Sequence, residues 1–191
     1  IVGMAEKILN MPDRTSEPDV ITASHLLMVL LHNLIGRIDA AIPRILELTL
    51  ARLQVPTSEH VKTGDQLKSA LLQVVASAFY YNPALTFQYL ESTNPPMTMT
   101  LFTGWFAEID KFESYNSQHI TVLGLASIVK MDLNTLPPVV RENMGMIVTK
   151  MVGLAKDLKE SEDENDDEND PDNNPFGGAG DSDEEDGDEE E

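Results

Sequence analysis

LKSALLQVVASAFYYNPALTFQYL, residues 67–90, holds two helices and the corner between them. Leu67, Leu71, Val74, Val75 and Ala78 recur at helical spacing, one apolar stripe down one face. The stripe runs into Tyr80-Tyr81-Asn82-Pro83, where Asn82 can cap and Pro83 can open a short helix to about Leu90.

Similar stripes extend in both directions. Upstream, Ala23, Leu26, Leu27, Leu30 and Leu34 follow Asp19 as an N-cap and precede Gly36 as a stop. Ile42, Ile45, Leu46, Leu50 and Leu53 form the next stripe, with Pro43 tolerable only in a first turn. Val55-Pro56-Thr57-Ser58-Glu59 then reads as a connector. Downstream, Asn94-Pro95-Pro96 punctuates the chain, and Phe102, Trp105, Phe106, Ile109 and Phe112 make an aromatic stripe. Ser117 is expected to cap a helix bearing Ile120, Leu123, Ser127, Ile128 and Met131. Leu136-Pro137-Pro138 opens the last and longest helix, with Val140, Met144, Ile147, Val148, Met151, Leu154 and Leu158 on one face. No clean apolar/polar alternation bounded by hairpin turns marks a strand.

The fold class expected is all-α. Comparable helices advance by roughly 35–45 residues, the range of HEAT-type helix pairs. A HEAT-repeat α-solenoid fragment over residues 1–159 is therefore preferred to a compact bundle of four to eight helices. Repeats bury their faces only against neighbours, so a chain starting mid-helix at Ile1 should expose an apolar end there. The absence of an initial Met reads as a piece cut from a longer chain.

Charge separates the body from the tail. The whole chain carries −20, with 33 acidic and 13 basic side chains. Residues 1–159 hold 15 of the acids and all 13 basic residues, so the body is near neutral. Residues 160–191 hold 18 Asp or Glu and no Lys, Arg or His. A tail of that composition cannot bury enough apolar area to offset chain entropy, and it is expected to be a disordered acidic tail. Direct nucleic-acid binding lacks the basic face it needs, an anionic membrane surface is excluded likewise, and a basic protein surface is the natural complement. The most apolar window, Val20 to Ile35, is too short for a membrane span and carries His25, His32 and Asn33.

Catalytic chemistry is hard to find. There is no cysteine, hence no disulfide, thiol nucleophile or cysteine zinc site. His25, His32, His60 and His119 lack the spacing of a zinc helix and read as ordinary surface or core histidines. Body carboxylates are spread singly along helices, so no acid/base pair stands out. No enzyme, metal or cofactor is expected. The Phe102–Phe112 stripe could line a groove but reads first as core, and Met144, Met146 and Met151 could form an adaptable apolar face.

The tail offers the sharper reading. An EF-hand needs Gly at its sixth position; Asp181-Ser182-Asp183-Glu184-Glu185 puts Asp186 there, and Asp170–Asn174 puts Pro175 there. Calcium is thus rejected. One exposed charge pair is worth only ~1 kcal/mol in water. Eighteen acidic side chains can nonetheless track any basic surface, fast and with strong salt dependence. The residues expected to hold a basic protein are Glu162, Asp163, Glu164, Asp166, Asp167, Glu168, Asp183, Glu184, Glu185 and Asp186. Ser161 and Ser182 precede acidic runs suited to an acid-directed kinase, and each phosphate would add about −1.5 to −2 charges.

Several of these pieces, in order, resemble a known family. Ile42-Pro43 through Leu53, Leu71–Val75, Ala78–Pro83, Phe102-Thr103-Gly104-Trp105-Phe106 through Phe112, and Val122–Leu125 with Ile128-Val129 resemble the late HEAT repeats of the importin-seven/eight class of the importin-β superfamily. So does a long helix entering an acidic tract; together these cover most of 21–168. The resemblance implies a nuclear import receptor that shuttles between cytoplasm and nucleus, holds basic cargo such as ribosomal proteins or histones, and passes the nuclear pore by FG nucleoporins. It also implies release by the Ran GTPase, chiefly through N-terminal repeats outside this chain, and another importin as an additional partner. The rival reading is an acidic-tail chaperone of histones or ribosomal proteins without transport.

Overall fold

A computed structural model describes residues 2–10, 16–56, 61–112 and 114–168, with the side chains of 61–63 and 162–168 left out. The described residues contain helices and no strand. In chain order the α-helices are α1 (Val2–Leu9), α2 (Glu17–Asn33), α3 (Ile42–Leu53), α4 (Val61–Tyr81), α5 (Pro83–Ser92), α6 (Thr98–Glu108), α7 (Tyr115–Val129), α8 (Pro138–Glu142) and α9 (Met144–Glu168). Packing divides the chain between Leu158 and Lys159.

The helices up to α8 lie in two rows. α4 packs between α2 and α7, and α1, α3, α5, α6 and α8 follow one another in the second row. Such a stack is a HEAT-type all-α fold, in which each helix pair buries its apolar face against the next. α4 sits at the centre, so everything from Ala70 to Phe79 is buried, far more than one stripe. The expected stripe residues Leu67, Leu71, Val74, Val75 and Ala78 all lie in this core. The corner forms as read: the Asn82 side chain accepts from Leu85 N at 3.1 Å, and Pro83 opens α5.

Other elements depart from expectation in instructive ways. The N-cap of α2 is Ser16, and Asp19 is its reciprocal partner three residues on: Asp19 N donates to Ser16 Oγ at 3.4 Å and Ser16 N to Asp19 Oδ2 at 3.2 Å. This capping box starts the helix one turn earlier than a lone Asp would. Because α2 is clasped by both α1 and α4, its buried face is Val20, Ala23, Ser24, Leu27, Met28 and Leu31, turned from the expected stripe so that Leu26 lies exposed. Gly36 does end the segment, at φ +71°, a left-handed conformation that favours glycine.

α7 is capped by Ser114, not Ser117. Ser114 Oγ accepts from Ser117 N at 3.2 Å, and Ser117 is buried in the first turn. The buried face of α7 is Ile120, Thr121, Gly124, Leu125 and Ile128, leaving Leu123 and Ser127 half-exposed. The last helix is two helices. Asn143 leaves the helical region at φ −102°, ψ 13°, and its side-chain amide donates to Val139 O at 2.7 Å, separating α8 from α9. Helices α2, α4, α7 and α9 begin at Glu17, Val61, Tyr115 and Met144, so the advance is uneven instead of a steady 35–45 residues. The second row spends two helices, α5 and α6, between α4 and α7, and only the short α8 between α7 and α9.

Candidate interaction surfaces

The aromatic stripe is mostly core. Phe102, Trp105, Ile109 and Phe112 are buried, and Trp105 stacks on Phe79 of α4 with ring centroids 6.0 Å apart. Phe106 differs: it is half-buried and turns to a groove between α6 and the α8–α9 segment. That groove, 280 Å³, is lined chiefly by Met99, Phe102, Phe106, Val139, Met146 and Ile147. Met99 and Met146 stand at its edge, 66% and 46% exposed, so a polarisable rim surrounds an aromatic floor. Of the three methionines expected to form an adaptable face, Met146 alone is on this rim; Met144 and Met151 pack on the core. The sequence hinted at this groove through its aromatic stripe and its methionines, but Val139 and Met99 carried no signal.

A second groove, 250 Å³, lies on the other flank of α6, between Leu50 and Leu53 of α3, Leu72 of α4, and Leu101 and Trp105. Lys68 and Glu108 stand on its rim 4.0 Å apart, and Glu108 also holds Lys111 at 2.9 Å. Near α9, Lys150 Nζ grips both carboxylate oxygens of Asp110 at 2.6 Å, and Ile147, Leu154 and Leu158 are buried on the same helix.

The histidines stand apart from one another in kind. His25 and His119 are exposed, while His60 lies outside the described residues. His32 is half-buried, with its Nε2 3.0 Å from Ser77 Oγ on α4. Burial, and then the nearby His119, hold its pKa below the ordinary value of 6.5. Among the described residues, no three His, Asp or Glu side chains gather as a metal set, and no helix is long and apolar enough to cross a membrane.

The acidic residues fall in two places. The backbone of Glu162, Asp163, Glu164, Asp166, Asp167 and Glu168 continues α9, which therefore runs past the expected boundary at Lys159. Asp183, Glu184, Glu185, Asp186 and Ser182 lie outside the described residues. Ser161 is half-buried on α9.

The family model described as "Importin-11-like, TPR repeats" matches residues 2–191, taking in both the helical rows and the acidic tract. The chain belongs to the importin-β family. Its likeness is to the importin-seven/eight class in particular. The probable importin-7 homolog of Dictyostelium discoideum is 34% identical over 127 residues, 66% of this chain and 12% of that protein. Importin-8 of Homo sapiens is 33% identical over 144 residues, 72% of this chain and 13% of that protein. Importin-8 of Danio rerio is 32% identical over 165 residues, 83% and 15% respectively. The chain thus spans a small part of the length of the curated relatives it matches. No solved structure matches it significantly. TPR and HEAT repeats alike are helical hairpins stacked side by side, so this family description and the two-row architecture agree.

Proposed function

We propose that this chain is a cargo-holding segment of a nuclear import receptor that carries basic proteins through the nuclear pore and has no catalytic role. The observation that carries the reading is the family match from 2 to 191, which joins the helical rows and the acidic tract in one unit of descent. Glu162, Asp163, Glu164, Asp166, Asp167 and Glu168, with Asp183, Glu184, Glu185 and Asp186, supply the field for histones or ribosomal proteins. Phosphate on Ser161 or Ser182 would deepen that field.

Two further partners follow from the same reading. FG nucleoporins suit the groove lined by Phe106, Met99 and Met146, which offers an aromatic floor to a phenylalanine side chain. Ran acts on the receptor as a whole, so GTP-loaded Ran should release cargo from the full receptor, which moves between cytoplasm and nucleus.

The deciding experiment measures binding of a core histone or a basic ribosomal protein to the full 191-residue chain. It is compared with a variant in which the ten named tail acids become Asn or Gln. Steep weakening with salt in the native chain, and a shallow curve in the variant, are expected. Equal affinities with equal salt slopes would overturn the reading.

A further inference from the structure

Three neighbouring helices share an unusual composition. Over 20–33 of α2, 69–81 of α4 and 115–129 of α7 there is no Asp, Glu, Lys or Arg. α4 packs between α2 and α7 and is buried from Ala70 to Phe79, so the outer residues of this uncharged row come mainly from α2 and α7, with Tyr80 at the end of the buried stretch. Two ring pairs lie on it at least partly open to solvent. His32 and Tyr80 have centroids 5.1 Å apart across the α2–α4 seam, and Tyr115 and His119 are 5.7 Å apart on α7. His32 and His119 are close enough to interact electrostatically, which links the two pairs across α4. Tyr115 is 47% exposed, His119 is exposed, and Tyr80 and His32 are half-buried.

Protein interfaces are depleted in charged residues at their cores and enriched in tyrosine, and this patch has both features. What it can bind follows from its chemistry. Aromatic faces attract cations, and no fixed positive side chain on these helix stretches would repel one. Arginine suits it better than lysine, because the planar, weakly hydrated guanidinium stacks on rings while an ammonium keeps its water. The tail, with 18 acids and no base, already selects partners rich in positive charge.

We propose that the Tyr80–His32 and Tyr115–His119 pairs form a docking surface for arginine side chains of a basic protein partner. The proposal rests on the reading that the chain holds basic cargo, and it divides that task in two. The acidic tract supplies long-range attraction to any cation and a share of arginine preference through bidentate carboxylate pairs; the ring cluster adds a further preference for arginine by stacking, and the part lost with the rings measures it.

The test uses the full chain with two synthetic peptides of equal length and charge, one of Arg-Gly-Ser repeats and one of Lys-Gly-Ser repeats. The native chain should bind the arginine peptide several-fold more tightly, and Tyr80→Leu with Tyr115→Leu should shrink that ratio at least twofold. Tyr80→Phe with Tyr115→Phe should keep it, since the ring remains. Tyr115→Leu alone, at an exposed position where folding is safe, should remove part of it. Equal affinity of the native chain for both peptides overturns the proposal, and so does an arginine preference undiminished by the double leucine change in a chain that still melts cooperatively. Neutralising the tail separates the two ideas: it should weaken both peptides and leave an arginine preference that still depends on Tyr80 and Tyr115. If it weakens neither, the tail reading fails while the ratio still judges the rings.

Discussion

Gly124 of α7 lies directly against the backbone of Ala76 on α4. A Cβ placed on Gly124 would fall 2.7 Å from the Ala76 carbonyl oxygen and 3.0 Å from its Cα. Both opposing atoms are main chain of a buried helix, so neither can swing aside. The two helices approach this closely only because position 124 has no side chain.

Gly124→Ala should therefore destabilise the fold by about 1–3 kcal/mol, the cost of forcing extra volume into a packed seam. The gain in helix propensity offsets part of this, since Ala exceeds Gly by about 1 kcal/mol in a helix interior. Gly153 on α9 is the control: nothing lies within 4 Å of its Cβ position, and Gly153→Ala should be neutral or stabilising. Urea unfolding of both variants checks the pair, and equal effects would mean the seam yields.

Tyr81 ties α4 to the turn that enters α3. Its hydroxyl donates to Asp39 and accepts from Ile38 N at 2.9 Å, and the residue is 6% exposed. Tyr81→Phe keeps the packing but leaves the Ile38 N–H without this acceptor, at about 1–3 kcal/mol. Hydrogen exchange at Ile38 should accelerate in the variant by more than at the exposed amides of α9.

Acid should weaken the α2–α4 seam through His32. Its folded pKa is held below 6.5 by burial and by His119, while the unfolded chain binds protons at the ordinary value. The unfolded state thus takes up more protons as pH falls below 6.5, and stability drops there; above 6.5 both states are neutral and the effect vanishes. His32→Gln should flatten the stability profile between pH 7.5 and 5.5. Chemical denaturation across that range reads the difference.

The groove beside Phe106 predicts its own phenotype. Met146→Glu places a charge on a 46% exposed rim position, so the fold should tolerate it within about 0.5 kcal/mol. Binding of a synthetic FG-repeat peptide should fall at least several-fold, whereas binding of basic cargo should rise or stay level. Unchanged FG binding would remove the groove from the list of contacts.

The lysine–aspartate grip between Lys150 and Asp110 should matter less than its geometry suggests. Asp110 is 70% exposed, and exposed pairs typically contribute less than 1 kcal/mol. Lys150→Ala should shift the thermal midpoint only slightly, with most of the holding power of α9 left to Ile147, Leu154 and Leu158.

Local chemistry made much of this protein legible in its sequence. The periodicity of Leu67, Leu71, Val74, Val75 and Ala78, the Asn82-Pro83 corner and the Gly36 stop each depend on neighbours within a turn or two, so the chain specifies them alone. The concentration of charge after Lys159 and the family likeness are likewise properties of residue order. Tertiary structure decided what depends on which helices meet. It turned the buried faces of α2 and α7 away from their most apolar stripes, because each helix answers to the neighbours it packs on. It left Phe106 half-buried on a groove whose floor it shares with buried Phe102, while Trp105, about 100° away around the helix, went fully into the core. It also brought His32, Tyr80, His119 and Tyr115 onto one row from positions far apart in the chain. Sequence spacing fixes angles around one helix axis, and only packing sets the position of one axis against another.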